Sequence, residues 1–202
     1  MAAHKGINVL EPVTNLIELG GPVVVTLLIL SVMGASVVAY KLIELRAYSS
    51  RFFADLATAL ADRTENRTPS NPVEELLSWA QNEKNAGKPR DEISAEAERQ
   101  GNRFLNRCSR YLRLVELIAY LSPLLGLLGT VLGMIDAFRG LEVDVNQADA
   151  GVLAGGIWEA LLTTAVGLGI AIPMTAAHAL MEGRVRRIGE DLQDILEQVI
   201  GS

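Results

Sequence analysis

Val152–Met181, VLAGGIWEALLTTAVGLGIAIPMTAAHALM, runs for 30 residues with a single Asp, Glu, Lys or Arg among them, Glu159. At about 1.5 Å per residue, a helix of that length exceeds the ~30 Å hydrocarbon core of a bilayer. Lipid offers no water to backbone N–H and C=O groups, so such a segment has to be a helix and not a strand. Outward from it lie two further uncharged runs, Leu117–Ile135 (LIAYLSPLLGLLGTVLGMI) and Gly20–Tyr40 (GGPVVVTLLILSVMGASVVAY). One such run could be the buried helix of a soluble domain. Three of them in 202 residues point to an all-α integral membrane protein with three transmembrane helices, extended by long cytoplasmic helices.

Composition agrees. Half of the residues are hydrophobic, yet aromatics make up only 5% and glycines number 18, a mixture suited to helices that approach closely in lipid. The formal charge of −6 gives no nucleic-acid footprint, and the basic residues cluster beside the apolar runs. The lone cysteine, Cys108, cannot form an internal disulfide and reads as a small buried or interfacial residue. A signal peptide would need a basic start and an apolar stretch of roughly 7–15 residues. Glu11, Glu18 and the longer run from Gly20 instead suggest a retained anchor.

Lys and Arg set the expected orientation. Lys41, Arg46 and Arg51 follow the first run, Arg103, Arg107, Arg110 and Arg113 precede the second, and Arg184, Arg186 and Arg187 follow the third. The opposite ends carry only Lys5 and Arg139, and the short loop between the second and third runs holds Glu142, Asp144 and Asp149. The expected organisation is an outer (periplasmic) segment 1–19, spans 20–40, 115–138 and 152–181, a cytoplasmic helical region 41–114, a periplasmic loop 139–151 and a cytoplasmic C-terminal helix 182–202. Within the cytoplasmic region, Asn71-Pro72 followed by Glu74 and Glu75 marks a helix start, and Gly87 and Pro89 mark its end. A second helix is expected from about Asp91 straight into the second span, with Arg99, Arg103, Arg107 and Arg110 on one face. Val185, Ile188, Leu192, Ile195, Leu196 and Val199 form an apolar stripe that would extend the third span as a partner-packing helix.

Candidate functional residues lie in the second and third spans. On a helical wheel Gly126, Thr130, Gly133 and Ala137 share a small face with one hydroxyl, and Gly129-x-x-x-Gly133 is a helix-packing spacing. These glycines could serve packing alone, with Thr130 bonding back to its own helix. Glu159 lies about seven residues, roughly 10 Å, inside Val152. An acid there costs at least a few kcal/mol, so it should carry a proton, face water or a partner, or snorkel to the outer interface. Thr163, one turn on, shares its side with Gly156, Gly167 and Ile170, whereas Thr164 lies about 140° away. Pro173 frees the carbonyl of Gly169, and a kink is expected there. No nucleophile–base pair, metal cluster or phosphate loop suggests an enzyme, a metal or a cofactor; His4 and His178 lie at an outer tail and a helix end.

Two of these stretches resemble a known family. Leu127-Leu128-Gly129-Thr130-Val131-x-Gly133 looks like the second-span motif of the ExbB/TolQ/MotA proton-channel family. Trp158-Glu159-Ala160-Leu161-Leu162-Thr163-Thr164-Ala165-x-Gly167-Leu168-x-Ile170-Ala171-Ile172-Pro173 looks like its third-span motif, with Trp158 where Ser is commoner. The resemblance implies a homopentamer in a Gram-negative inner membrane, with an ExbD- or TolR-like single-span protein in its central pore. It also implies a TonB-like energy transducer as partner, energising outer-membrane transport. Protons would pass between the partner's membrane Asp and pore-lining hydroxyls of the pentamer. By motif, the ion pathway falls on Thr130, Glu159 and Thr164; the wheel adds Thr163. Gly126, Gly129, Gly133, Gly167 and Pro173 remain packing residues. A TolQ-like role in envelope maintenance is the alternative; a MotA-like stator normally has four spans, and a passive scaffold would tolerate replacement of Glu159 and Thr130. One charge crossing roughly 150 mV releases about 3.5 kcal/mol, enough to bias a bistable packing but not to unfold a domain.

Overall fold

The computed structural model describes residues 10–48, 50–61, 69–143 and 150–201; the expected outer tail at 1–9, with Lys5 and His4, and loop residues 144–149 lie outside them. The described residues form six helices and no strand: α1 Leu10–Arg46, α2 Ser50–Ala61, α3 Pro72–Asn85, α4 Arg90–Ser109, α5 Leu112–Val143 and α6 Ala150–Gly201. Three apolar segments, in α1, α5 and α6, are long enough to cross a membrane. The chain divides into two compact units, one made of Met1–Val37 with Leu114–Ala177 and the other of Val38–Arg113 with His178–Ser202.

In the first unit, Gly34 of α1 lies against Met174 of α6 and Ile118 of α5, so small side chains let three helices meet. Val24, Leu27, Ile118, Ala160, Ile170 and Met174 are buried there. Leu117, Leu124, Leu127, Val131, Leu161 and Ile172 instead point outward and are exposed. Apolar side chains over so much of an outer surface suit lipid or other subunits, not water. The backbone leaves helical geometry at Gly21, where φ is 57° and ψ is −161°, and Pro22 opens the helical segment that follows. That conformation is reserved in practice for glycine. α6, by contrast, continues as one helix through Pro173 to Gly201.

The second unit is amphipathic. Asn71 caps α3 as its sequence predicts: its Oδ1 accepts from the backbone N–H of Val73 at 3.1 Å and of Glu74 at 3.0 Å. Ser70 donates to the Glu74 carboxylate from both its backbone N–H and its hydroxyl, and Gly87, with φ 77°, follows the end of the helix. The stripe on α6 is covered by the chain itself: Ile188, Leu192, Ile195, Leu196 and Val199 are buried, Leu105 of α4 lies against Gly189, and Lys84 Nζ donates to Val199 O at 2.8 Å.

One expectation is corrected in this unit. α4 does not run straight into the second span but ends at Ser109, and α5 begins at Leu112 after Tyr111, whose φ is 75°. A residue with the left-handed φ of Tyr111 cannot continue a helix, and against this turn Lys41 is only 1% exposed despite reading as a flanking topology charge. Its ammonium donates to Arg107 O at 3.3 Å and to Glu44 Oε2 at 2.7 Å. Arg107 O already accepts from the Arg110 backbone N–H at 3.2 Å as α4 closes, and the ammonium adds a second, charged donor to it. Cys108, on the polar helix α4 and outside the apolar runs, is 2% exposed. Burial, then the nearby Glu44 carboxylate, push its thiol up to about 11, with Lys41 opposing.

Candidate functional site

The second and third spans face each other along a seam of small residues. Ser122, Gly126, Gly129, Gly133 and Ala137 of α5 are buried, and they oppose Gly156, Ala160, Thr163 and Gly167 of α6. A methyl group on Gly129 would stand 2.6 Å from Thr163 Oγ1, and one on Gly167 would stand 2.5 Å from Ser122 O. Backbone and side chain already occupy that space, so the seam admits no Cβ at either position.

Two hydroxyls converge on one carbonyl within the seam. Thr163 Oγ1 donates to Ala160 O at 2.7 Å and lies 3.3 Å from Gly126 O. Thr164 Oγ1 donates to the same Gly126 O at 3.2 Å. The two residues differ in burial, Thr163 being 2% exposed and Thr164 half-buried. Thr163 is thus packed within the seam, while Thr164 keeps one side at its edge. Ser122, 0% exposed and donating to Ile118 O at 2.6 Å, completes the stripe. It was not among the expected site residues, although its spacing of four from Gly126 places it on the same face.

Thr130 departs from the wheel. The expected small face included it, but Gly129 occupies the seam and Thr130 sits half-buried at its border, with Oγ1 donating to Leu127 O at 2.6 Å. It lines an open recess together with Val131, Met134 and Phe138. Its hydroxyl thus stands on the outward side of α5, where a water or a neighbouring chain can reach it.

Glu159 also separates from Thr163. Its residue is half-buried, and its Oε1 lies 3.4 Å from where a Cβ on Gly21 would be. The carboxylate therefore lies against the break in α1, beside the start of the segment opened by Pro22. A helix start carries unpaired N–H groups and a partial positive charge, which favours an acid nearby. No salt bridge reaches Glu159 among the described residues. The structure thus brings together Thr163, Thr164, Gly126, Gly129, Gly133 and Gly167, leaves Thr130 at the border, and turns Glu159 toward α1. No group of His, Cys, Asp and Glu fit to hold a metal ion occurs among the described residues.

A family model, MotA/TolQ/ExbB proton channel family, matches residues 62–194, more than half of the chain and the whole of the seam. The chain belongs to that family. Among curated relatives, biopolymer transport protein exbB1 of Vibrio cholerae is 44% identical over 88 residues, covering 44% of this chain and 39% of the relative. Tol-Pal system protein TolQ of Pseudomonas aeruginosa is 27% identical over 208 residues, covering 88% of this chain and 90% of the relative. Biopolymer transport protein ExbB of Salmonella typhimurium is 31% identical over 136 residues, covering 62% of this chain and 54% of the relative. The chain thus spans about two fifths and about half the length of these two ExbB relatives, and nearly all of the TolQ relative. The family is one of proton channels, and the chain's apolar helices suit a membrane.

Proposed function

We propose that the chain is a motor subunit of the ExbB–ExbD type, driven by the proton-motive force. Five copies form the shell of a proton channel, with single-span ExbD- or TolR-like helices in the pore and a TonB-like transducer as the recipient of the work. The N-terminus lies in the periplasm and the C-terminus in the cytoplasm of a Gram-negative inner membrane. The observation that carries this reading is two hydroxyls, Thr130 at the border and Thr164 at the edge of a glycine-lined seam, within the family match. A threonine hydroxyl donates one proton and accepts another, so either can relay protons or orient water beside a partner carboxylate. Glu159, turned toward the break in α1, is the third polar group assigned to the pathway.

A TolQ-like role is the second reading, favoured by the near end-to-end match to the TolQ relative. Deleting the chain's gene in its host separates the two. Loss of energised uptake of large substrates with an intact envelope supports the ExbB role; detergent sensitivity with normal uptake supports the TolQ role. No change in either would refute a motor function.

A further inference from the structure

Arg46 near the end of α1 and Arg184 and Arg187 on α6 are far apart in sequence but line one recess of about 260 Å³ in the second unit. All three are exposed, and none forms a salt bridge among the described residues. Leu45 and Ile188, each 2% exposed, give the recess an apolar base. One acid, Asp191, also lines it with no salt bridge among the described residues, so among them three guanidiniums stand against one carboxylate.

The rule that sets membrane orientation asks for arginines near the ends of spans but nothing of their mutual placement. Their convergence from two helices is a separate fact. Depth adds to it. Arg184 lies three residues past Met181 along α6, about 4.5 Å, while Arg46 and Arg187 lie six residues past Tyr40 and Met181, about 9 Å, from where their long side chains reach back toward the bilayer. The polar headgroup layer occupies roughly 5–8 Å beyond the hydrocarbon on each side. The recess is smaller than the ~300–1,000 Å³ typical of pockets that enclose a drug-sized ligand, so it suits a headgroup and not a peptide.

We propose that Arg46, Arg184 and Arg187 form a binding site for the phosphate of an anionic phospholipid headgroup. Guanidinium forks hold phosphate oxygens through paired N–H donors, and Leu45 and Ile188 receive the carbons that join headgroup to acyl chains. The lipid belongs to the inner leaflet, a placement that rests on the orientation proposed above.

The test is native mass spectrometry of the purified protein, titrated in detergent with phosphatidylglycerol or phosphatidylethanolamine. The wild type is expected to retain phosphatidylglycerol with a roughly tenfold preference. Combined Arg46→Gln, Arg184→Gln and Arg187→Gln substitution should abolish that preference, whereas Arg99→Gln with Arg103→Gln on α4 should leave it. Asp191→Asn should raise retention, and it carries the test if the triple variant fails to assemble. Equal retention by wild type and triple variant, equal loss in the α4 control, or no response to Asp191→Asn would overturn the site. Displacement of lipid by millimolar inorganic phosphate would assign the recess to free phosphate and also overturn it. Detergent binding is blind to orientation, so a reversed topology would leave this result standing and move only the leaflet.

Discussion

Gly167 and Gly169 are two residues apart on α6, and the same added methyl should affect them in opposite directions. At Gly167 it would stand 2.5 Å from Ser122 O, a backbone atom that cannot rotate away. Gly167→Ala is therefore expected to cost about 1–3 kcal/mol. At Gly169 nothing lies within 4 Å, so Gly169→Ala should be neutral or stabilise the helix by up to about 1 kcal/mol. Thermal unfolding of the two variants in one detergent checks the contrast, and equal midpoints would deny the seam. Gly21→Ala meets a different obstacle: with φ 57° and ψ −161°, any Cβ is strained, at about 1–3 kcal/mol, and it would also touch Glu159. A melting temperature equal to wild type would show that the break in α1 is not needed. The small faces of both spans were legible because their period of about 3.6 is written in the sequence. Three particulars were not. An ideal wheel cannot choose between Gly129 and Thr130 at the seam's edge, the sign of φ at Gly21 is set by packing, and Glu159 turns toward a helix more than a hundred residues earlier.

Among the elements, α3 followed its sequence closely, because Asn71, Pro72 and the first-turn acids act within four residues of one another. The junction of α4 and α5 did not: it turns on the positive φ of Tyr111, and a remote side chain packs against it. Lys41, from the end of the first span, adds a second donor to Arg107 O, which the Arg110 N–H also reaches where α4 stops. Nothing in the local stretch from Arg107 to Leu112, free of Gly and Pro, announces a break. Lys41→Met preserves length while removing the donor, leaving Arg107 O with the Arg110 N–H alone and the Glu44 carboxylate without its buried ammonium. It should destabilise by about 1–3 kcal/mol, measured by thermal unfolding. If it has no effect, Lys41 is a solvated flank and its place at the junction is wrong.

On the scale of the whole molecule, the apolar faces of the spans are exposed and Glu159 has no salt bridge among the described residues, which is what the proposed pentamer in lipid would cover. Native mass spectrometry should give five copies; a monomer across several mild detergents would refute this. Impermeant maleimide applied from outside should label Gly140→Cys and miss Asn82→Cys, and the opposite pattern would reverse the orientation. Background from Cys108 should be low, since a buried thiol pushed up to about 11 holds little reactive thiolate at neutral pH. The existence of three spans could be read from length and hydropathy alone, whereas the burial of the α6 stripe by the chain's own α4 could not. The central claim is that protons pass the hydroxyls of Thr130 and Thr164. Valine keeps the shape of threonine and removes that capacity, so its most direct test is proton flux in the native host carrying Thr130→Val and Thr164→Val together. With the pentamer assembled at normal expression, proton flux and energy-dependent function should both be lost; undiminished flux would make these hydroxyls packing groups and contradict the account.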